Sequence, residues 1–222
     1  MRNELCLDNR NEPKWSVVLQ AADRVNACAV VYAAMLVQDV QAHGRETDAW
    51  PMQRDVLPRV AEFLALERQL VRDGQTRDLW RIAHLDSRIR LVKDAYCWGR
   101  QDVYVQTVLT EVKRSRENQQ RVVVLLDPCT GIAARKGPGH AHFRISPDAV
   151  AALWRGLCPG DVLLVFQWAD RARGEPARYR RPRELLQQSL GMPTNQDLAA
   201  PPLARCFSDG RYGFFAMIEL PR

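Results

Sequence analysis

RVVVLLDPCTGIAARKGPGHAHFRISPDAVAALWRGLCPGDVLLVFQ, residues 121–167, decides the fold. It opens with RVVVLLD (121–127), a near-continuous apolar run, which is how a strand buried on both faces reads. It closes with DVLLVFQ (161–167), a second run of the same kind. Between them, SPDAVAALWRGL (146–157) begins as helices begin: Ser146 as N-cap, Pro147 at the first helical position and Asp148 in the first turn. Ala149, Leu153, Trp154 and Leu157 form its apolar stripe, and Cys158-Pro159-Gly160 breaks the chain before the second strand. Strand, helix, strand predicts a parallel βαβ unit with a right-handed crossover.

Working towards the N-terminus, WSVVLQAADRVNA (15–27) has apolar residues at helical spacing. CAVVYAAMLV (28–37) is too continuous for an amphipathic helix, and its Val-Val-Tyr centre favours a strand. QDVQAHGRETDAW reads as a loop. DVLPRVAEFLALERQLVRDG (55–74) is a helix with Pro58 in its first turn and a glycine stop at Gly74. IAHLDSRIRLVKDAY has no dominant period, and QDVYVQTVLTEVKRSRENQQ (101–120) reads as a helix with a charged tail. Towards the C-terminus, RPRELLQQSLG (181–191) is a helix closed by Gly191. ARCFSDGRYGFFAMIEL reads as strand, Asp-Gly turn, strand, a terminal hairpin. The expectation is one α/β domain over 1–222, with 1–14 as a flexible or peripheral segment. Its core is a Rossmann-like, mainly parallel sheet with helices on both faces and a C-terminal antiparallel β-hairpin.

Composition narrows the function classes. The chain has 222 residues, 46% hydrophobic and 26% charged, as globular domains do. No apolar run approaches the ~20 residues of a membrane span, and the polar start MRNELCLDNRNEPKW has no signal core, so the expected location is the cytoplasm. The six cysteines are scattered without a C-x-x-C, and read as reduced thiols with no zinc site. The formal charge is +6. The excess arginine is clustered in RARGEPARYRRPRE (171–184) and around Lys113 to Arg121, which suits phosphate and a nucleic-acid or nucleotide partner; a solvated basic face reads equally well.

Ligands of open parallel sheets bind beyond the carboxyl ends of the strands. There the first strand ends on Asp127-Pro128 and the second on Gln167-Trp168, so Asp127, Thr130 and Gln167 are expected to share a crevice. Gly131, Gly137 and Gly139 allow close approach by the loop, and Lys136, His140 and His142 bring charge or a proton-transfer group. His140 and His142, two apart, are also a minimal metal pair, and Cys129 is a candidate nucleophile beside Asp127. Trp80, Trp98 and Trp154 are expected in the core.

Strand, Asp-Pro, loop, helix, L-x-P-G-D-V-L-L-V strand and terminal hairpin together resemble the second half of class I S-adenosylmethionine-dependent methyltransferases. VLLDPCTG stands at that family's Asp-Pro position, LCPGDVLLVF at its fifth strand and FSDGRYGFFAMIEL at its hairpin. The likeness covers residues 121–220. The chain also resembles an uncharacterised bacterial and phage group with a Leu-Asp-Pro-Asp-Thr/Asn-Gly motif and a later Tyr-Gln-His; here Cys129 replaces the second Asp and Trp168 the His. No G-x-G occurs in residues 1–100, where the methyltransferase family has a glycine-rich turn.

The resemblance implies S-adenosylmethionine across the first-strand turn, near Gln38 and Asp39, with Asp127 and Pro128 bordering it. It implies Asp127, Gln167 and His142 as catalytic candidates. Thr130, Gly131, Lys136, His140, Arg171 and Arg173 would hold a nucleic-acid or nucleotide substrate. Two other readings stand beside it: a non-catalytic nucleic-acid- or protein-binding module that lost the cofactor loop, and a metal-dependent nuclease or phosphoesterase using Asp127 with His140 or His142.

Overall fold

The computed structural model describes residues 11–35, 56–73, 79–92, 94, 96–116, 120–128, 131–132, 144–168, 184–191 and 213–219. In chain order these contain α1 (Asn11–Arg24), β1 (Ala29–Ala33), α2 (Pro58–Arg72), β2 (Ile89–Leu91), α3 (Gln101–Ser115), β3 (Val122–Leu126), α4 (Pro147–Arg155), β4 (Val162–Trp168) and β5 (Gly213–Glu219). Short 3-10 helices at Leu79–His84 and Trp98–Arg100 precede β2 and α3, and 184–189 is helical.

The sheet runs β2-β1-β3-β4-β5. β2, β1, β3 and β4 are parallel, so the α/β class and the predicted βαβ unit are present, and β5 pairs antiparallel with β4. The sequence pairs the last strand with the segment before its Asp-Gly turn, residues 204–207 in ARCFSDGRYGFFAMIEL. The described partner of that strand is β4, and 204–207 lies outside the described residues.

The apolar runs of β1 and β3 lie between two layers of helix, which is why they show no alternation: every residue of both strands is buried. On one face Val31, Val124, Leu126, Leu163 and Val165 pack with α3 and α4 through Val105, Val108, Val150 and Leu153. On the other, Val30, Tyr32, Val123, Leu125 and Leu164 pack with α1 and α2 through Trp15, Leu19, Val60 and Leu64. Two helix layers around one sheet are thus observed directly.

The helix starts follow their sequence signals. Ser146 Oγ accepts from the Ala149 N–H at 3.2 Å, a cap worth about 1 kcal/mol, and Pro58 is the first residue of α2. At the C-terminus of α4, Gly156 has ordinary right-handed backbone and is held by contact, because a Cβ there would lie 2.5 Å from Leu109 Cδ1 on α3.

Several expectations need correction. α1 begins at Asn11, and Asn11 and Lys14 are buried, so residues 11–14 are structural and not a peripheral segment. The polar look of NEPK hid this, because Lys14 has a distant partner. α3 ends at Ser115, and Arg116, read as part of a basic surface, is paired with Asp161. Trp80 and Trp98 are only partly buried, Trp154 is partly buried and packed against the α3/α4-side core, and among the described residues the tryptophan wholly inside is Trp15. The segment without a dominant period supplies β2, too short at three residues to show one.

Candidate functional site

Two crossovers set the crevice. The connection from β1 to β2 carries α2 on one face, and the connection from β3 to β4 carries α4 on the other. β1 and β3 are neighbours, so the chain leaves in opposite directions from adjacent strand ends, and ligands of open α/β sheets bind at such a switch point. Its floor is Ala33, Ala34 and Met35 on one side and Asp127-Pro128 on the other, joined by the Asp127 N–H donating to the Ala33 carbonyl at 3.1 Å.

Asp127 is 2% exposed. Strand alternation puts it on the α1 face with Val123 and Leu125. There its Oδ2 accepts from Lys14 Nζ at 2.9 Å and from the Tyr32 hydroxyl at 2.8 Å. Tyr32 is braced edge-on by Trp15, with ring centroids 4.9 Å apart. The Lys14 ammonium also lies 5.9 Å from the ring centres of Tyr32 and Phe166. A charge removed from water needs a partner or it costs several kcal/mol; here carboxylate, ammonium, phenol and two rings close on one another. Among the described residues no hydrogen bond reaches Asp127 Oδ1.

The other half of the crevice is built on tyrosines. Met35 leaves β1 with φ 45°, and its N–H donates to the Tyr104 hydroxyl at 3.0 Å. Tyr104 meets Tyr96 edge-on at 5.3 Å, and the Tyr96 hydroxyl donates to the Arg144 carbonyl at 2.6 Å. Burial pushes the Tyr104 phenol well above the usual tyrosine range, with the Asp127 charge adding to the rise and the Met35 N–H opposing it. Burial likewise pushes up Tyr96, helped by Tyr104.

Beyond Pro128 two described contacts hold the backbone. Gly131, at φ 86°, donates its N–H to the Pro128 carbonyl at 3.3 Å, a conformation that favours glycine. Its carbonyl accepts from the Ile145 N–H at 3.2 Å, beside a parallel bridge between Ile132 and Ile145. The Ser146 N–H then donates to Gln101 Oε1 at 2.9 Å, which ties the start of α4 to α3.

Among the residues expected at the site, the structure brings Asp127, Pro128 and Gly131 together. The backbone of Gln167 stands at the same sheet end, one position beyond Phe166, which is level with Asp127. Thr130, Lys136, His140, His142, Arg171, Arg173, Cys129, Gln38 and Asp39 lie outside the described residues, as does the side chain of Gln167. The first-strand turn itself is corrected: β1 ends at Ala33, so Ala34 and Met35, not Gln38 and Asp39, directly follow the strand. The chain leaves the sheet early because Met35 turns into the left-handed region.

Sequence reading missed Lys14, Tyr32, Tyr96, Tyr104 and Arg144. Tyr32 had a signal, being the one polar-tipped residue in an apolar strand. Lys14 had none, since its carboxylate partner is 113 positions away. Among the described residues no group of three or more His, Cys, Asp or Glu is placed to hold a metal, and no helix is long and apolar enough to cross a membrane. The protein-family models contain no match to the chain, and comparisons with curated proteins and with solved structures find none either.

Proposed function

We propose that this chain is a methyltransferase-like, Rossmann-like α/β domain that binds S-adenosylmethionine or a related nucleoside at the β1–β3 switch point and acts on a nucleic acid or nucleotide. The observation that carries the reading is Asp127-Pro128 at the end of β3, beside the end of β1, in the order β2-β1-β3-β4-β5 with an antiparallel last strand. A hairpin completed by residues 204–207 belongs to the same reading, and the net charge of +6 favours a phosphate-bearing partner.

The turn after β1 is the test of fit. Met35 takes the left-handed conformation that glycine adopts without cost, so the backbone bends there as a close-approach turn would. The side chain of Met35 is packed on the α3/α4 side of the sheet, away from Asp127 and Tyr32. In this reading Asp127 Oδ1 accepts from an amino or hydroxyl group of the ligand, while Lys14 and Tyr32 hold the carboxylate in place. S-adenosylmethionine would supply an electrophilic methyl group. Gln167, His142, Thr130, Gly131, Lys136, His140, Arg171 and Arg173 remain the candidates for shaping the substrate side.

Calorimetry and thermal shift with S-adenosylmethionine and S-adenosylhomocysteine test the cofactor. Saturation at ~100 times Kd stabilises by about 2.7 kcal/mol, a readily visible rise in Tm. No heat and no shift would remove the cofactor claim.

A second reading, a non-catalytic binding module, is favoured by one observation: the Met35 N–H is already engaged by Tyr104, and Asp127 Oδ2 by Lys14. It predicts salt-sensitive nucleic-acid or protein binding that persists in the Lys14→Gln/Asp127→Asn double variant. The methyltransferase reading predicts that methyl transfer is lost in that variant.

A further inference from the structure

We infer that Arg144 is an oxyanion-binding residue of this crevice, taking a phosphoryl or carboxylate group of the ligand. Arg144 Nε is buried and has no hydrogen-bond partner. A buried guanidinium nitrogen without an acceptor is costly, and it marks where an acceptor belongs. Arg68 Nη1 is in the same condition, but Arg68 is already paired through Nη2 to Glu12 Oε1 at 2.7 Å. No carboxylate is paired with Arg144 among the described residues.

Its position is fixed from both strands of the switch point. On the β3 side, Asp127-Pro128 is linked to Gly131 and Gly131 to Ile145, the residue after Arg144. On the β1 side, the Arg144 carbonyl accepts from Tyr96, which packs on Tyr104, which accepts from the Met35 N–H. The Arg144 backbone therefore cannot move without disturbing both strand ends. A planar, permanently charged fork is the group that recognises phosphate or carboxylate. Asp127 Oδ1 and Arg144 Nε would together suit a ligand with a donor at one end and an anion at the other.

The choice of nucleoside ligands rests on the proposed function, and the test separates the two. The probes are 5′-AMP against adenosine, differing in the phosphate, and S-adenosylhomocysteine against 5′-methylthioadenosine, differing in the amino-acid tail with its carboxylate and ammonium. Calorimetry on the full chain should give at least one phosphate- or carboxylate-bearing member roughly tenfold or more tighter than its partner without that group. The pair showing the difference identifies a phosphate or a carboxylate as the anion. Arg144→Gln should abolish the preference and leave the neutral members unchanged, while Arg144→Lys, keeping charge but losing Nε, should retain only part of it. Wild-type protein binding both members of each pair equally would overturn the inference, as would a preference surviving Arg144→Gln.

If no nucleoside binds, the proposed function fails, and inorganic pyrophosphate becomes the probe. A thermal shift in wild type that is absent in Arg144→Gln keeps the anion site; no shift in wild type overturns it. Should Arg144→Gln not fold, the wild-type pairs and Arg144→Lys decide the same question.

Discussion

Lys14 Nζ donates to Asp127 Oδ2 at 2.9 Å across 113 positions of sequence, with side chains only 6% and 3% exposed. The pair joins the first turn of α1 to the carboxyl end of β3. It makes the Asp-Pro motif part of the fold as well as part of a crevice.

Removing the carboxylate takes away an acceptor shared by two buried donors. Asp127→Ala should cost about 3–5 kcal/mol in chemical denaturation, because the Lys14 ammonium and the Tyr32 hydroxyl both lose it. Lys14→Met combined with Asp127→Leu should recover most of that loss, since an apolar replacement of a buried pair is often neutral. A single-variant loss below about 1 kcal/mol would show that water reaches Lys14 freely.

Met35 reverses the usual ranking of small residues. At an ordinary buried site glycine is about 0.5–1 kcal/mol less stable than alanine. At φ 45° alanine retains a left-handed penalty of about 1–2 kcal/mol that glycine escapes. Both Met35→Gly and Met35→Ala should destabilise by vacating a fully buried side chain, with the glycine variant the more stable of the two. The reverse order in thermal denaturation would place Met35 in ordinary backbone.

Tyr96 and Tyr104 set the alkaline limit. Burial raises both phenols above the ordinary value near about 10, so in the folded protein they stay protonated where the unfolded chain ionises. The unfolded state then binds fewer protons. Their contribution to stability is full below about 10 and is lost as pH climbs towards the folded values. A phenolate absorbance titration should leave at least two of the five tyrosines, Tyr96 and Tyr104, silent until the protein unfolds. All five titrating reversibly near about 10 would contradict their burial.

Asp161, fully buried at the other end of the sheet, accepts from the Val122 N–H at 2.9 Å and the Cys158 N–H at 2.8 Å, and is paired with Arg116 through both terminal guanidinium nitrogens. The bond to Asp161 also raises the Arg116 guanidinium above its usual value. Asp161→Ala leaves two backbone donors and a guanidinium unmatched, and should cost about 3–5 kcal/mol. Arg116→Ala keeps both backbone donors on the carboxylate and should cost less. Equal losses in urea denaturation would assign the whole effect to the ion pair.

β3, α4 and β4 were legible because each carries a local signal: unbroken apolar runs for the strands, and Ser146-Pro147-Asp148 for the helix. The two-layer arrangement followed from the same runs, since a strand apolar at every position needs cover on both faces. Asp127 was legible as a strand terminus. Its ion pair was not, because nothing near Lys14 announces a carboxylate so distant in sequence. Asp161 read as the first residue of the strand after Pro159-Gly160, although its acceptors serve Val122 and Arg116 across the sheet. Arg144 sits in FRIS, with no pattern around it; its environment is made by Tyr96, Gly131 and Gln101, which only the fold assembles.

β2 has consequences for how the molecule behaves at high concentration. It is one margin of the sheet, yet it is only three residues long and exposes Arg90 at its centre. A second polypeptide seeking to extend the sheet there finds few backbone groups to match and a cation in the way, which is how natural β-proteins discourage lateral growth into aggregates.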